Sequence, residues 1–415
     1  MISLADAQNI ILQHTPAPRR EIVLLQDALQ RVLAEPVTAG LNLPPFDRSP
    51  LDGYAFRCED LDGKPGHLKV AGSINAGQKP QDTLSVGTCY KIMTGAPVPG
   101  DANAVVPQER TILEGNRVFI SIASWPGMNV AKAGEDVKKG EMVLSEGTLL
   151  EPVQLGILAS LGYDTIKVYC RPKVAVIATG TELVPPGEAL SSGQIYETNN
   201  TMMGALLQKS GAHSLPLGIA GDNVQELANV LLESLTKAEA VVMTGGVSVG
   251  ESDLVYAALK EIDAQILFWR VAIKPGTPML MALKNKKPLF CLSGNPAAAY
   301  VSFDQLVQPA LDVMTGKEAG QRLEVQAVLE HDIAKNGMQK RFIRATCSFR
   351  EDTFSVKTTG VEKSGVLSSF SQANAFIILS PGAPPPRAGQ KVRVQLLNLP
   401  QVTGTYLMEN KLVSV

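Results

Sequence analysis

A chain of 415 residues, 45% of them apolar, is too long for one hydrophobic core of ordinary size, so roughly two to four domains are expected. A formal net charge of −2 offers no basic surface to nucleic acid and no polybasic segment to a membrane. No apolar run approaches the length of a membrane-spanning helix, and MISLADAQNI lacks the charged start and long apolar core of a secretory signal.

Residues 3–15 carry Leu4, Ala7 and Ile11 at helical spacing, and a second helix is predicted over 25–33. LNLPPFDRSPLDGYAFR (41–57) holds three prolines and the Asp52–Gly53 pair, which predicts an ordered loop or a domain boundary with no regular element. Between 64 and 122 the β-prone runs HLKVAGSI, TCYKIMTG, NAVVPQE and RVFISI alternate with Gly and Pro, as in a small β-rich domain. AKAGEDVKKGE (131–141) is a further glycine turn, and 152–162 reads as a helix returning to the first segment. The β-rich part is therefore expected as an insertion at 44–136 within a discontinuous helical/β domain, 1–43 plus 137–168.

From 172 strands and helices alternate. VAVIATG (174–180) is a strand and turn, 200–209 a helix, 213–219 a strand and 224–236 a helix. Ala240–Met243 is a buried strand, followed by TGGVSVG and a helix with Val255, Ala258, Leu259 and Ile262 on one face; Ser252 or Asp253 can cap it. ILFWRVAIKPG, PLFCLSGNP and a long helix to about 314 follow. The fold class is α/β multidomain. Its centre, 169–316, is a doubly wound, mainly parallel α/β domain. Beyond it LEVQAVL, RFIRATCSF, AFIILSP and KVRVQLL predict a C-terminal β-barrel or sandwich over 317–415.

Chemistry-bearing residues gather in glycine and proline loops: Asp52, Thr94, Asp136, Glu182, Asp222, Asp253 and Lys274. Glu182, Asp222, Asp253, Lys274 and the 293–296 loop each follow a predicted strand of one sheet, whose strand ends converge on one rim. Unpaired, three carboxylates there repel one another; a hard cation such as Mg²⁺, which takes a few carboxylates plus phosphate oxygens, makes the grouping favourable. The amide-rich turn at Gly245 and Gly246, with Lys274, suits the anionic part of the same ligand. A phosphorylated, nucleotide-bearing ligand with a divalent metal is expected. There is no GxxxxGK[ST] and no GxGxxG. The five cysteines, Cys58, Cys89, Cys170, Cys291 and Cys347, form no CxxC pair, which argues against a disulfide frame or zinc site and suits a reducing cytoplasm.

PPFDRSPLDGYA, KIMTGAPVPGDANAVV, AGEDV, ATGTELVPPGEALSSGQIYETN, TGGVSVGESD, AIKPGTP and SGNP, in this order, resemble the molybdopterin molybdenumtransferases, the family of bacterial MoeA and the gephyrin E domain. The resemblance implies a cytoplasmic, elongated homodimer with its active cleft between the central domain of one subunit and the inserted domain of the other. It implies Mg²⁺-dependent cleavage of adenylylated molybdopterin with insertion of molybdate and loss of AMP. Contacts with the molybdopterin adenylyltransferase and with acceptor molybdoenzymes are also implied.

Carried over by motif, the family's acidic and hydroxyl positions fall on Asp52, Thr94, Asp136, Glu182, Asp222 and Asp253. Substrate-binding positions fall on Gly180, Gly245, Gly246, Ser248, Gly250, Arg270, Lys274, Pro275, Pro278, Asn295, Pro296, Arg344 and Ser364. Glu182, Asp222 and Asp253 are the implied metal ligands. The chain departs from the pattern at Thr181, Thr277, Ser293, Ala298 and Ala131; Thr277 stands where the family carries a second lysine, which removes a charge from the oxyanion site. Two other readings stay open: a molybdopterin adenylyltransferase, which shares a TGG turn, and an idle paralogue acting as a scaffold.

Overall fold

The computed structural model describes residues 1–79, 83–247, 254–320, 322–350, 352–360 and 366–399, and the backbone of 401–402. The chain forms two compact units. One comprises Met1–Glu21, Gln30–Val32 and Val168–Val415; the other comprises Ile22–Leu29 and Leu33–Lys167.

The first unit is built on a six-stranded sheet. Its order is His213–Ala220, Lys173–Thr179, Ala240–Thr244, Lys287–Leu292, Met279–Lys284, Gln265–Trp269. The first four strands pair in parallel, and Met279–Lys284 pairs antiparallel with both of its neighbours. Side chains of successive residues leave a strand on opposite faces, and here both faces are buried. Val174, Val176, Ala240 and Val242 join one core with Leu4, Ala7, Ile11, Met203 and Leu207. Ala175, Ile177, Val241 and Met243 join the other with Leu227, Leu231, Val255 and Leu259. Each fully buried aliphatic side chain contributes about 1.5–3 kcal/mol, so sheet and helices hold one another from both sides.

The helices Leu4–His14, Asn199–Lys209, Val224–Lys237 and Leu254–Glu261 stand where helical spacing predicts them. The long helix to 314 is interrupted: Pro296–Ser302 and Gln308–Met314 flank a π-helical turn at Phe303–Val307. The strand Met279–Lys284 was not anticipated. It pairs with Lys287–Leu292 across a turn in which Asn285 and Lys286 both take positive φ.

In the same unit, five strands close into a barrel: Glu324–Leu329, Lys391–Leu396, Ala375–Leu379, Lys340–Arg350 and Thr353–Thr358, the last pairing back with the first. Closure removes the open sheet edges. The barrel interior is filled by Ile343, Ala345, Cys347, Val356, Ile377 and Val394.

The second unit holds a six-stranded sheet in the order Ala104–Pro107, Gly53–Phe56, Thr88–Ile92, Gly66–Ile74, Arg117–Ile120, Thr111–Glu114. Phe56, Leu68, Ile74, Ile92, Val105 and Ile120 form its core. Two sequence expectations fail here. Only Leu25–Asp27 is helical within 25–33, as one 3₁₀ turn, because Gln30 takes a positive φ that ends any helix. Gly53–Phe56 is a strand, not loop: after Asp52–Gly53 the run Tyr-Ala-Phe lies buried between two neighbouring strands. The helix at 152–162 is present as Pro152–Ser160. No helix among the described residues is long and apolar enough to cross a membrane.

Candidate functional site

In the first unit, the parallel strands end at one rim, and each end leads into a loop. Ala240–Thr244 is buried throughout, and Gly245 and Gly246 then take φ of 94° and 63°. A Cβ on Gly245 would stand 2.3 Å from the Thr179 carbonyl oxygen, and one on Gly294 would stand 3.2 Å from Gly245 Cα. Only glycine permits this approach. The Gly245 N–H donates to the Leu292 carbonyl at 3.1 Å, so it is committed to the chain.

Beside this turn the strand Lys173–Thr179 delivers Gly180 and Glu182. The Glu182 carboxylate folds back so closely that a Cβ on Gly180 would meet it at 2.6 Å. The next strand, His213–Ala220, delivers Asp222, whose carboxylate accepts the Thr181 N–H at 3.3 Å. Two loops from neighbouring strands are thus tied together, and Glu182, Asp222, Gly180, Gly245, Gly246 and Pro296 line one cavity of about 500 Å³. Asp253, Ser248 and Gly250 lie outside the described residues.

The same cavity is walled by residues that sequence reasoning missed. Glu197 is only 4% exposed and accepts the Asn200 N–H at 2.8 Å; burial pushes its carboxyl up from the usual 4.5. Asn199 opens the helix Asn199–Lys209 and donates to the Gly294 carbonyl at 2.8 Å. YETN directly before a helical run was the available signal, as a polar cluster at a helix start.

A second cavity of about 520 Å³ adjoins the first, sharing Pro278 and Ser293 as common wall. Lys274, Pro275, Asn295 and Arg344 line it. Its described lining contains no carboxylate. Arg344 is 6% exposed, with its guanidinium 5.2 Å from the Phe370 ring centroid, whereas Lys274 is exposed. Lys274, Arg341 and Arg344 bring three cations to one hollow whose described lining holds no acid, which suits an oxyanion. Thr277, in the lysine's place, spends its hydroxyl within the chain: it donates to the Ile273 carbonyl at 2.6 Å and accepts from Gln339 Nε2 at 3.1 Å. Ser364 lies outside the described residues.

Two expectations change. Lys274 does not follow a strand of the central sheet; Ile273–Lys274 pairs in parallel with Lys340–Arg341 of the barrel. The chain leaves the central sheet after Trp269 through Arg270, whose φ of 69° redirects it, and a bridge from Ile2 to Val271 holds the departing segment. Arg270 itself is exposed and lines neither cavity.

In the second unit, Asp52 and Thr94 meet. Asp52 Oδ1 accepts the Thr94 N–H and the Thr94 hydroxyl, each at 2.7 Å. These bonds, the backbone one foremost, hold the Asp52 carboxyl below the usual 3.8. Gly53 is obligatory beside it, since a Cβ would stand 2.0 Å from the Val106 carbonyl. Asp136 is exposed on its own turn, its N–H donating to the Leu43 carbonyl at 3.0 Å. That turn is tethered by Asp47, which accepts from Lys132 Nζ at 2.7 Å and from the Ala133 N–H at 2.9 Å.

Mg²⁺ takes one or two carboxylates and completes its octahedron with water and substrate phosphate oxygens. Glu182 and Asp222 supply hard oxygens to one cavity from loops already bonded together, a donor set that fits such an ion. Among the described residues there is no group of three or more His, Cys, Asp or Glu placed to hold a metal.

The chain was compared with known proteins. The family model described as the MoeA N-terminal region (domain I and II) matches residues 2–162. That of a probable molybdopterin binding domain matches 175–313, and that of the MoeA C-terminal region (domain IV) matches 326–397. A molybdopterin molybdenumtransferase of Haemophilus influenzae is 37% identical over 403 residues, spanning 96% of this chain and 99% of that protein. One of Bacillus subtilis is 37% identical over 385 residues, spanning 91% and 90%. A solved structure of a MoeA protein from Pyrococcus horikoshii superimposes with a TM-score of 0.79 at 30% identity, covering 95% of this chain and 100% of that one.

Proposed function

The chain belongs to the molybdopterin molybdenumtransferase (MoeA) family, and on that premise we propose that it inserts molybdate into adenylylated molybdopterin and releases AMP, the closing step of molybdenum cofactor synthesis. The observation that carries the reading is the pair of adjoining cavities of opposite character. One is lined by Glu182 and Asp222, the other by Lys274 and Arg344, and they share Pro278 and Ser293. A substrate with a phosphoanhydride at one end and an oxyanion acceptor at the other needs such a pair.

In this reading Lys274 and Arg344, with Ser364, neutralise the doubly charged molybdate. Glu182 and Asp222, with Asp253, would hold Mg²⁺, which when bound supplies charge neutralisation at the phosphoanhydride. The Gly246 amide, next on the turn, meets the phosphates in this reading, since the Gly245 N–H is already used. Asp52, held in one orientation by Thr94, and Asp136 position the pterin from the partner copy of a cytoplasmic homodimer. The adenylyltransferase delivers the substrate and acceptor molybdoenzymes take the product.

The test is purified protein with adenylylated molybdopterin, Mg²⁺ and molybdate. AMP release that depends on molybdate is the expected result. Attachment of AMP from ATP, or no turnover by a folded protein, overturns the proposal.

A further inference from the structure

Three residues that line the carboxylate-bearing cavity each carry a buried side-chain oxygen with no hydrogen-bond partner among the described residues: Thr179 Oγ1, Thr244 Oγ1 and Asn199 Oδ1. The residues that carry them are 5%, 1% and 6% exposed. Folded chains pair nearly all buried polar atoms, because an orphan costs about 1–3 kcal/mol. Three orphans on one wall are a deficit that a bound molecule removes.

The fold holds all three around Gly245. Thr179 and Thr244 end neighbouring parallel strands, with Ala178 opposite Thr244 in register. The Thr179 hydroxyl lies 2.7 Å from where a Gly245 Cβ would stand. Asn199 reaches the same turn through Gly294, whose carbonyl accepts its Nδ2 and whose own Cβ position abuts Gly245 Cα. Since Nδ2 is spent on Gly294, Oδ1 is the atom left without a partner. Buried Glu197 fixes the start of this helix by accepting the Asn200 N–H.

The chemistry of these atoms selects the ligand group. An amide oxygen only accepts, so whatever meets Asn199 must bring an N–H or O–H; the two hydroxyls can donate or accept. A phosphate brings acceptors alone and would face the Asn199 carbonyl with Glu197 on the same wall. We propose that Thr179, Asn199 and Thr244 form a recognition recess for an uncharged polar edge of the substrate, where an N–H or O–H donor sits beside an acceptor. The lactam edge of a pterin and the diol of a ribose both have this chemistry. The proposal rests on the function proposed above and deepens it, by separating the part of the cavity that recognises a neutral group from the part that handles phosphate.

The test uses Thr179→Val and Thr244→Val in the full chain. Each keeps the shape and removes one hydroxyl. Binding of AMP, of 2′,3′-dideoxy-AMP and of 6-methylpterin is measured by calorimetric titration, beside the thermal midpoint. With no partner to lose, the midpoint stays or rises, while the affinity of the occupant of the recess falls about tenfold per hydroxyl. If the occupant is the ribose, wild-type protein binds dideoxy-AMP about tenfold more weakly than AMP and the variants lose that preference. If it is the pterin, the variants lose 6-methylpterin affinity and keep that for AMP.

Variants that bind every probe like wild type overturn the recess. So does wild-type protein that binds none of them. A midpoint lowered by several degrees also overturns it, since the hydroxyls would then be paired within the chain. AMP release from adenylylated molybdopterin, measured alongside, separates the two layers: wild-type turnover with unaltered variants sinks the recess alone, and absent wild-type turnover sinks the function.

Discussion

The acids of the two units live under different conditions. In the second unit, Asp52 has one oxygen occupied by both Thr94 donors, which fixes its orientation and depresses its pKa without a ligand. At the rim of the first unit, Asp222 accepts one long bond from Thr181, and Glu182 leans back over Gly180. Buried oxygens of Thr179, Thr244 and Asn199 stand nearby without described partners. The difference separates a residue that the chain has already positioned from residues that await something else. A pre-set carboxylate can orient a substrate; an uncommitted group is one whose bonding capacity the fold has left open.

The largest expected effect tests the uncommitted side. Glu182→Ala should reduce molybdate-dependent AMP release by on the order of a hundredfold or more, with the thermal midpoint unchanged because the side chain is exposed. A lowered midpoint would make Glu182 a structural residue and erase the contrast. Next is the turn. Gly245→Ala sets a methyl 2.3 Å from a carbonyl oxygen at φ 94° and should cost on the order of 2–3 kcal/mol in denaturant unfolding. Gly180→Ala meets the movable end of Glu182 instead of backbone, so although its φ of 149° also strains an alanine it should cost less stability than Gly245→Ala, while impairing turnover. A loss at Gly245 no larger than a surface substitution's would show that the turn tolerates what the geometry forbids.

A smaller effect concerns Glu197. Its folded-state pKa is raised, so the native state holds the proton more tightly than the unfolded chain does. Stability therefore falls as pH rises from about 4.5 through the raised value. Glu197→Gln should be more stable than wild type at neutral pH, with the gap closing below the ordinary 4.5; a gap independent of pH would refute the burial argument. The smallest effect sharpens the other side. Thr94→Val removes one of two bonds to Asp52 and should move its carboxyl up toward 3.8, read by carboxyl ¹³C titration. In wild type the stabilisation from this depressed pKa is present above 3.8 and lost as pH falls through the folded value, so the variant should lose less on acidification.

The strand–turn–helix rhythm of 172–314 was legible because both faces of its sheet are buried, which produces continuous apolar runs bounded by glycine. Glu182 and Asp222 were legible as loop acids after such runs. Glu197 and Asn199 were not, since the strand before them, Ile195–Tyr196, is two residues long and too short to register as a run. Thr179 and Thr244 were hidden as ordinary last residues of strands; only burial without partners distinguishes them. Gly53–Phe56 was hidden by the prolines before it, and the false helix at 25–33 by apolar spacing that Gln30 breaks with its backbone.

The pairing of Ile273–Lys274 with Lys340–Arg341 has a consequence for modularity. The lysine belongs in sequence to the α/β layer, yet its hydrogen-bonded neighbour is the barrel, which also contributes Arg344 to the same hollow. A fragment ending before the barrel would keep the rim acids and the glycine turn but forfeit one wall of the oxyanion pocket and the support of the other. Such a fragment could still grip the phosphate end of a nucleotide while having nowhere to lodge a metal oxyanion.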